Sequence, residues 1–268
     1  MANFLVEQGA PGVVLKRRGM EAYFRRSRND AALKRRVGLF LRSVERVNCQ
    51  GARARVKWRI VVSESWHDSW RRFIKPRRVG KSFWVTPPWL TPPKFRSRQI
   101  ITIEPGLAFG TGTHATTRGC MEFIECAADA LGRAFTALDV GTGAGILAIA
   151  MVKLGAKRVW AIDTDAVALQ VARDNLRAND AWERVRLSGA KLGALRRNFP
   201  LVVANLTAET IVELAAALEK KVAAKGFLIL SGILPQQADG IMRRFHKQFR
   251  VVRQKRGREW VTLLLRQR

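Results

Sequence analysis

The run Thr136–Leu147, T-A-L-D-V-G-T-G-A-G-I-L, constrains this chain more than any other stretch. Its first half is mostly apolar, with Asp139 as the one acid. Its second half breaks into Gly141, Gly143 and Gly145 and resumes at once as the apolar segment Ile146–Ala150. An apolar strand feeding a glycine turn that opens a helix is the first βα unit of an open α/β sheet. Such sheets bind ligands outside the carboxyl ends of their strands. Glycines at alternate positions let the backbone turn sharply and come close to a ligand, because no Cβ intervenes.

The spacing narrows the ligand. A dinucleotide fingerprint has its third glycine where this chain has Ile146, so the phosphate-cradling pattern is absent. Asp163 lies 22 residues beyond Gly141, at the end of the apolar run Val159–Ile162. An acid there can accept both hydroxyls of a ribose. Together these favour S-adenosylmethionine over NAD, with Gly141 and Gly143 cradling it and Asp163 gripping its ribose. The apolar strand Val202–Leu206 carries Asn205 near its end, whose amide offers both a carbonyl and an NH2 to a reacting amine or to the cofactor. The loop Phe109–Thr117 packs two glycines, four threonines and His114 into nine residues. It leads into a helix N-terminus, where backbone N–H groups and the positive dipole end attract a carboxylate. Thr116 and Thr117 are placed to bind the methionine end of the cofactor or to cap the helix. A lone loop histidine such as His114 is more often a hydrogen-bonded scaffold residue than a base.

Patterning divides the chain into three parts. Residues 1–62 read as a small α+β unit. Its strands are expected at Gly12–Leu15, Met20–Phe24 and Val56–Val62. Asn29-Asp30 is placed to cap a helix over Ala31–Val44, with Leu33, Val37 and Leu41 at helical spacing. Residues 63–98 form a connector. It holds an aromatic helix near Ser65–Phe73, expected to pack under a loop, a strand-like Ser82–Val85, and a proline-punctuated spacer from Val85 to Lys94. Residues 99–268 begin with a short strand near Ile100–Glu104 and a helix near 117–131. Strands are then expected near 134–140, 158–163, 185–188, 200–206 and 226–232. Helices alternate with them near 145–154, 165–178, 208–223 and 235–248. This alternation implies a parallel sheet. The end, Val251–Gln254 and Trp260–Leu265 around Gly257, reads as a hairpin that adds an antiparallel strand at the edge of the sheet or inside it.

Charge qualifies this picture. The net charge is +28 over 268 residues, and the first 100 hold 24 basic and 6 acidic side chains. A field of that size favours polyanionic surroundings, nucleic acid above all, so the basic N-terminal region is either an rRNA contact or, since its charges come as scattered pairs, a solvated basic surface. The three cysteines make an odd count without paired spacing, as in reduced cytosolic proteins. The three histidines are scattered, and no metal cluster is expected. No apolar run approaches 18 residues, and the first twelve residues lack the order of a secretory signal. A cytoplasmic location, no membrane partner and a monomer are the expectations.

Five stretches carry a more specific resemblance. They are E-P-G-L-A-F-G-T-G-T-H-A-T-T at Glu104–Thr117, D-V-G-T-G-A-G-I-L-A-I-A at Asp139–Ala150, A-I-D-T-D at Ala161–Asp165, V-V-A-N-L at Val202–Leu206 and L-S-G-I-L at Leu230–Leu234. Together they resemble the PrmA family, the methyltransferases of large-subunit ribosomal protein eleven. Trp66, Trp70, Lys75-Pro76, Gly80, Pro87-Pro88-Trp89 and Glu259-Trp260 also fit the pattern. The resemblance implies a Rossmann-like class I methyltransferase domain, preceded by a flexible linker and a ferredoxin-like substrate-recognition domain shortened by its first strand. It implies cofactor contacts at Thr117, Gly141, Asp163 and Asn205; Asn205 is expected to orient the reacting amine or the cofactor rather than take a proton. It also implies methyl transfer to lysine ε-amines and an N-terminal α-amine of a ribosomal protein, free or ribosome-bound. Two departures stand out: Ala115 where proline is usual, and a basic N-terminal region where family members are commonly acidic to neutral. The Asp/Asn-Pro-Pro-Tyr signature of adenine and glutamine methyltransferases is missing, since Asn205-Leu206-Thr207 follows Ala204. The alternatives are another basic ribosomal or RNA-bound substrate, or a non-catalytic RNA-binding protein on the same fold.

Overall fold

A computed structural model describes residues 4–5, 8, 10, 13–16, 19–24, 30–47, 56–58, 75–90, 98–104, 112 and 114–268. The chain divides into two compact units, Met1–Trp66 and His67–Arg268.

In the first unit, β1 (Val13–Lys16) and β2 (Gly19–Ala22) form an antiparallel hairpin, followed by helix α1 (Asp30–Val47). Leu33, Val37 and Leu41 recur every four residues, which puts them on one face of α1. That face is buried with Leu5 and Ala10, and the Phe4 ring stacks on Phe40 at 3.9 Å. The third expected strand is absent over its described part: Val56–Trp58 is irregular and half-exposed, and a strand needs a partner to satisfy its backbone. Residues 59–62, the aromatic segment 65–73 and the Asn29 cap lie outside the described residues.

The second unit opens with a three-stranded sheet of β3 (Arg77–Val79), β4 (Phe83–Thr86) and β5 (Gln99–Thr102), in that order. β3 is antiparallel to β4, and β5 is parallel to it. Over its described part, the segment read as a connector is therefore core structure. Val79, Phe83 and Val85 are buried, and the prolines follow a strand rather than forming a spacer. Helix α2 (Ala115–Leu131) then leads into β6 (Thr136–Val140), α3 (Ile146–Lys153), β7 (Arg158–Ile162), α4 (Ala166–Ala178), β8 (Val185–Ser188) and β9 (Phe199–Asn205). The chain continues through α5 (Ala208–Glu213), α6 (Ala215–Lys221), β10 (Val222–Ile233), α7 (Ala238–Phe245), β11 (Phe249–Arg256) and β12 (Val261–Gln267).

These strands make one seven-stranded sheet in the order β11-β12-β10-β9-β6-β7-β8. All run parallel except β12, which is antiparallel to both β10 and β11. The antiparallel strand of the terminal hairpin thus lies inside the sheet. Ile146–Val152 of α3 are buried all round, as a helix without a polar face must be. One apolar cluster joins α2, α3 and β3–β5 to one face of the sheet, and a second joins α5–α7 to the other. The single helix expected over 208–223 is two. Leu214 caps both, and β10 begins at Val222. The last helix is shorter than expected, starting only at Ala238, after Pro235.

Candidate active site

Strand order fixes where a ligand binds. Connections from β6 run to β7 and β8 on one side, and β9 and β10 lie on the other. The crevice at the carboxyl ends of β6 and β9 is therefore the switch point of the sheet. Gly141 and Asn205 stand at its two sides, each just past the register pair Val140–Ala204.

The glycine loop is shaped from both directions. Gly141, Gly143 and Gly145 have φ of +71°, +54° and +82°, the left-handed region that side chains with a Cβ resist. The N–H groups of Gly141 and Thr142 both donate to the Ile162 carbonyl, at 2.9 and 3.0 Å, which draws the loop towards the end of β7. There Asp163 accepts the Gly143 N–H on Oδ2 at 2.9 Å and the Asp165 N–H on Oδ1 at 3.0 Å. The carboxylate is half-buried, and each oxygen keeps a further lone pair for a ligand hydroxyl.

Asn205 ends β9 beside Ser231 of β10, and the Leu206 N–H donates to the Ser231 carbonyl at 3.1 Å. The Leu206 side chain lies over Gly141, where a Cβ would overlap its Cδ2. Gly232, at φ +84°, lets the Leu206 backbone pass: a Cβ there would overlap the Leu206 carbonyl. On the other side, Gly112 wedges between Val85 and Ile146, with an added Cβ 2.9 Å from a methyl of each. Glycines of three separate motifs are thus required by contacts with one another's neighbours. Asn175 of α4 closes the set. Its amide donates to the Ala144 carbonyl in the glycine loop at 2.9 Å and accepts the Glu104 N–H at 3.2 Å. Asn179 pairs with both backbone groups of Thr102, at 2.8 and 2.6 Å. These two amides pin the stem of the loop that begins at Glu104.

Helix α2 roofs the site. His114 takes the N-cap position without a side-chain cap. Its Nδ1 lies 2.7 Å from the Thr116 hydroxyl, and its ring meets Trp260 edge-on at 5.3 Å. These are scaffold contacts. Thr117 is fully buried, and its hydroxyl has no hydrogen-bond partner among the described residues. Close packing of α2 on β12 needs Gly119, where a Cβ would overlap the Thr262 hydroxyl. Beneath the helix, Cys120 approaches Ser231, whose hydroxyl lies 2.8 Å from that of Thr262. Burial pushes the Cys120 thiol well up, so it is inert.

Asp139 was not assigned a role from sequence, yet it is the most perturbed acid here. It is fully buried at the end of β6. Its Oδ2 accepts the Thr142 hydroxyl at 2.7 Å, while Oδ1 has no partner within hydrogen-bond geometry among the described residues. Burial pushes its carboxyl up to about 7, against the lowering influence of the Thr142 hydroxyl and the Ala148 amide, with the Asp163 charge raising it further. Asn175, Asn179 and Glu125 were missed as well. Glu125 is buried on α2 and accepts the N–H groups of Lys81 and Ser82 at 2.9 and 2.8 Å, locking the β3–β4 turn. An acid inside an apolar run was the one visible signal for Asp139. The others sit on helices whose polar residues look solvent-facing.

Of the expected site residues, Gly141, Gly143, Asp163 and Asn205 come together around the switch point. Thr117 lies in the first turn of α2, one turn before Cys120. An open, mostly parallel α/β sheet with a left-handed glycine loop and an acid at the next strand end defines a Rossmann-like domain for an adenosine-type ligand. Comparison with known proteins narrows this class. The family described as "Ribosomal protein L11 methyltransferase (PrmA)" matches residues 3–268. The chain is 41% identical over 209 residues to the ribosomal protein L11 methyltransferase of Pelobacter propionicus, a match covering 77% of this chain and 68% of the relative. It is 40% identical over 208 residues to the Geobacter sulfurreducens protein of the same name, covering 77% and 68%. A solved ribosomal protein L11 methylase from Lactobacillus delbrueckii subsp. bulgaricus superimposes with a TM-score of 0.67 at 32% identity, covering 73% of this chain and all of that one. The chain belongs to the ribosomal protein L11 methyltransferase family.

Proposed function

We propose that this protein transfers methyl groups from S-adenosylmethionine to amines of ribosomal protein L11, namely lysine ε-amines and the N-terminal α-amine. The observation that carries the reading is the interlocked frame at the β6/β9 crevice. In it, Asp163 holds the glycine loop and keeps lone pairs free, and Leu206 and Gly232 place Asn205 at the rim. The residues fit the cofactor on their own chemistry. The left-handed glycines offer close backbone approach, Asp163 suits the two ribose hydroxyls, and the Thr117 hydroxyl, without a hydrogen-bond partner among the described residues, suits a polar amino-acid end.

When bound, S-adenosylmethionine supplies a methyl group activated by a sulfonium. The side chains supply position and environment. A free lysine amine is neutral in only about one molecule in a thousand at pH 7.4, a cost of roughly 4 kcal/mol. Desolvation at the crevice lowers that cost by disfavouring the ammonium. Asn205 is assigned to orient the neutral amine through its carbonyl oxygen. Its side chain makes no hydrogen bond among the described residues, so the carbonyl is available. The displaced proton passes to water, so no strong side-chain base is needed, and the remaining rate gain comes from alignment. The first unit is assigned to substrate recognition as a ferredoxin-like domain. Among the described residues no helix is long and apolar enough to cross a membrane, and a cytoplasmic site of action fits a ribosomal substrate.

The test is tritiated methyl transfer to purified L11, followed by mass-spectrometric location of the label. Incorporation at amines, reduced at least about tenfold by Asn205→Ala, is expected. Absence of label on L11, with label on another basic ribosomal protein, would move the substrate assignment.

A further inference from the structure

The positive charge of the second unit is concentrated in one place. Residues 101–242 hold 15 basic and 14 acidic side chains, whereas residues 243–268 hold 10 basic and one acidic. The net +9 over these 26 residues is about twice as dense as the net +18 over the first 100. Eight of the ten cations are arginines. They belong to the end of α7 and to the β11–β12 hairpin.

The sheet displays them. β11 is the edge strand, and every residue of it after Phe249 is exposed. Its pairing with β12 puts Arg250 directly opposite Arg266, and like charges in that position repel. Arg266 also donates to the Lys225 carbonyl at 3.1 Å, which brings a third basic residue to the same corner. Two cations here have carboxylate partners: Arg244 meets Glu219 at 2.8 Å, and Lys255 meets Glu122. Among the described residues, Arg243, Lys247, Arg250, Arg253, Arg256, Arg258, Arg266 and Arg268 have none. Protection of an exposed edge against pairing needs only one or two charges, and lysine is the usual choice. Arginine in this number suits phosphate, which its planar fork binds in bidentate fashion.

The direction of the strand adds a second point. β11 runs parallel to β10, so it rises from Arg250 to Arg256 towards the carboxyl ends of the parallel strands. Just beyond its end, Trp260 touches His114 at the roof of the site. We propose that the β11 edge with the end of α7 is a docking track for the phosphate backbone of RNA, leading to the mouth of the methyl-transfer crevice. Charges on both faces of an edge strand fit a polyanion that wraps it. An added peptide strand would instead require pockets for alternate side chains. The RNA contact stands without the methyl-transfer reading; its use in presenting RNA-bound substrate rests on it.

The test is fluorescence anisotropy with a labelled oligouridylate of about 20 nucleotides in about 0.1 M salt. The triple variant Lys247→Glu/Arg250→Glu/Arg253→Glu is compared with Arg35→Glu/Arg36→Glu/Arg42→Glu on α1, which removes the same charge elsewhere. The edge triple is expected to lose at least about tenfold in affinity and to lower the salt slope by about 2, and the α1 triple to lose less than about threefold. Arg250→Gln with Arg253→Gln, which keeps most of each stem, is the milder variant and is expected to lose about threefold. Circular dichroism and S-adenosylmethionine titration report the fold of every variant. Equal losses from the two triples would reduce the effect to net charge and overturn the proposal. So would binding to a polyglutamate peptide or to anionic phosphatidylglycerol vesicles in preference to the oligouridylate. Methyl transfer to isolated L11, measured on the same variants, separates failure of this track from failure of the methyl-transfer reading.

Discussion

At the carboxyl ends of β6 and β7 the sheet places two carboxylates, Asp139 and Asp163, inside a frame of backbone donors and glycine contacts. Along β11 it places a row of exposed arginines, of which Arg253 and Arg256 touch neutral acceptors, Cys126 Sγ and the Pro235 carbonyl, and none meets a carboxylate among the described residues. The two regions share a sheet and differ in how charge is used. At the crevice each charge has a defined neighbour, so small changes in geometry or protonation carry large energies. At the edge each charge is screened, and only their sum matters. The comparison ranks what substitutions should do.

The largest effect is expected from Asp139. Its carboxyl stands at about 7 in the folded chain because of burial, against an ordinary value near 4 when unfolded. Between those values the folded chain holds a proton that the unfolded chain has released. The contribution of Asp139 to stability is therefore full below about pH 4 and is lost as pH rises through about 7, by a total on the order of 4 kcal/mol. Asp139→Asn cannot titrate, so its stability, followed by urea unfolding across this range, should be flatter with pH. An unchanged slope would show that Asp139 ionises normally and that its burial has no energetic weight.

Gly232→Ala comes next. It forces a Cβ into the Leu206 carbonyl at a left-handed position, and a loss of about 3 kcal/mol in denaturant unfolding is expected. Asn175→Ala should cost about 1–2 kcal/mol, because it leaves the Ala144 carbonyl and the Glu104 N–H without their partner. Its S-adenosylmethionine affinity should fall as well, since the stem at Glu104 loses its tie to the glycine loop. At the edge, Arg250→Gln should change stability by less than about 0.5 kcal/mol and leave cofactor affinity alone. A destabilisation as large as that of Asn175→Ala would erase the contrast between the two regions.

These differences also mark what the sequence made legible. The glycine loop and Asp163 were readable because their context is local: strand, turn and helix follow within a few residues. Asn205 was readable by its place at a strand end. The buried state of Asp139 was not, because it depends on α2 lying across the sheet. Asn175 and Asn179 were missed because the backbone groups they pin at Glu104 and Thr102 lie 71 and 77 residues away in sequence. The strand β4 was legible, but its membership of the core was not. Pro87-Pro88 resembles a spacer until Phe83 and Val85 are seen to pack against the helices. The concentration of charge in residues 243–268 was present in the sequence too, hidden by the larger total of the first 100.

The most direct test of the crevice is calorimetric titration of the purified protein with S-adenosylmethionine, alongside Asp163→Ala. One cofactor per chain is expected, with affinity reduced on the order of 100-fold in the variant, about 3 kcal/mol, as the ribose hydroxyls lose their acceptor and Gly143 its anchor. Equal binding by the two proteins, or none by either, would contradict the assignment of this crevice as the cofactor site.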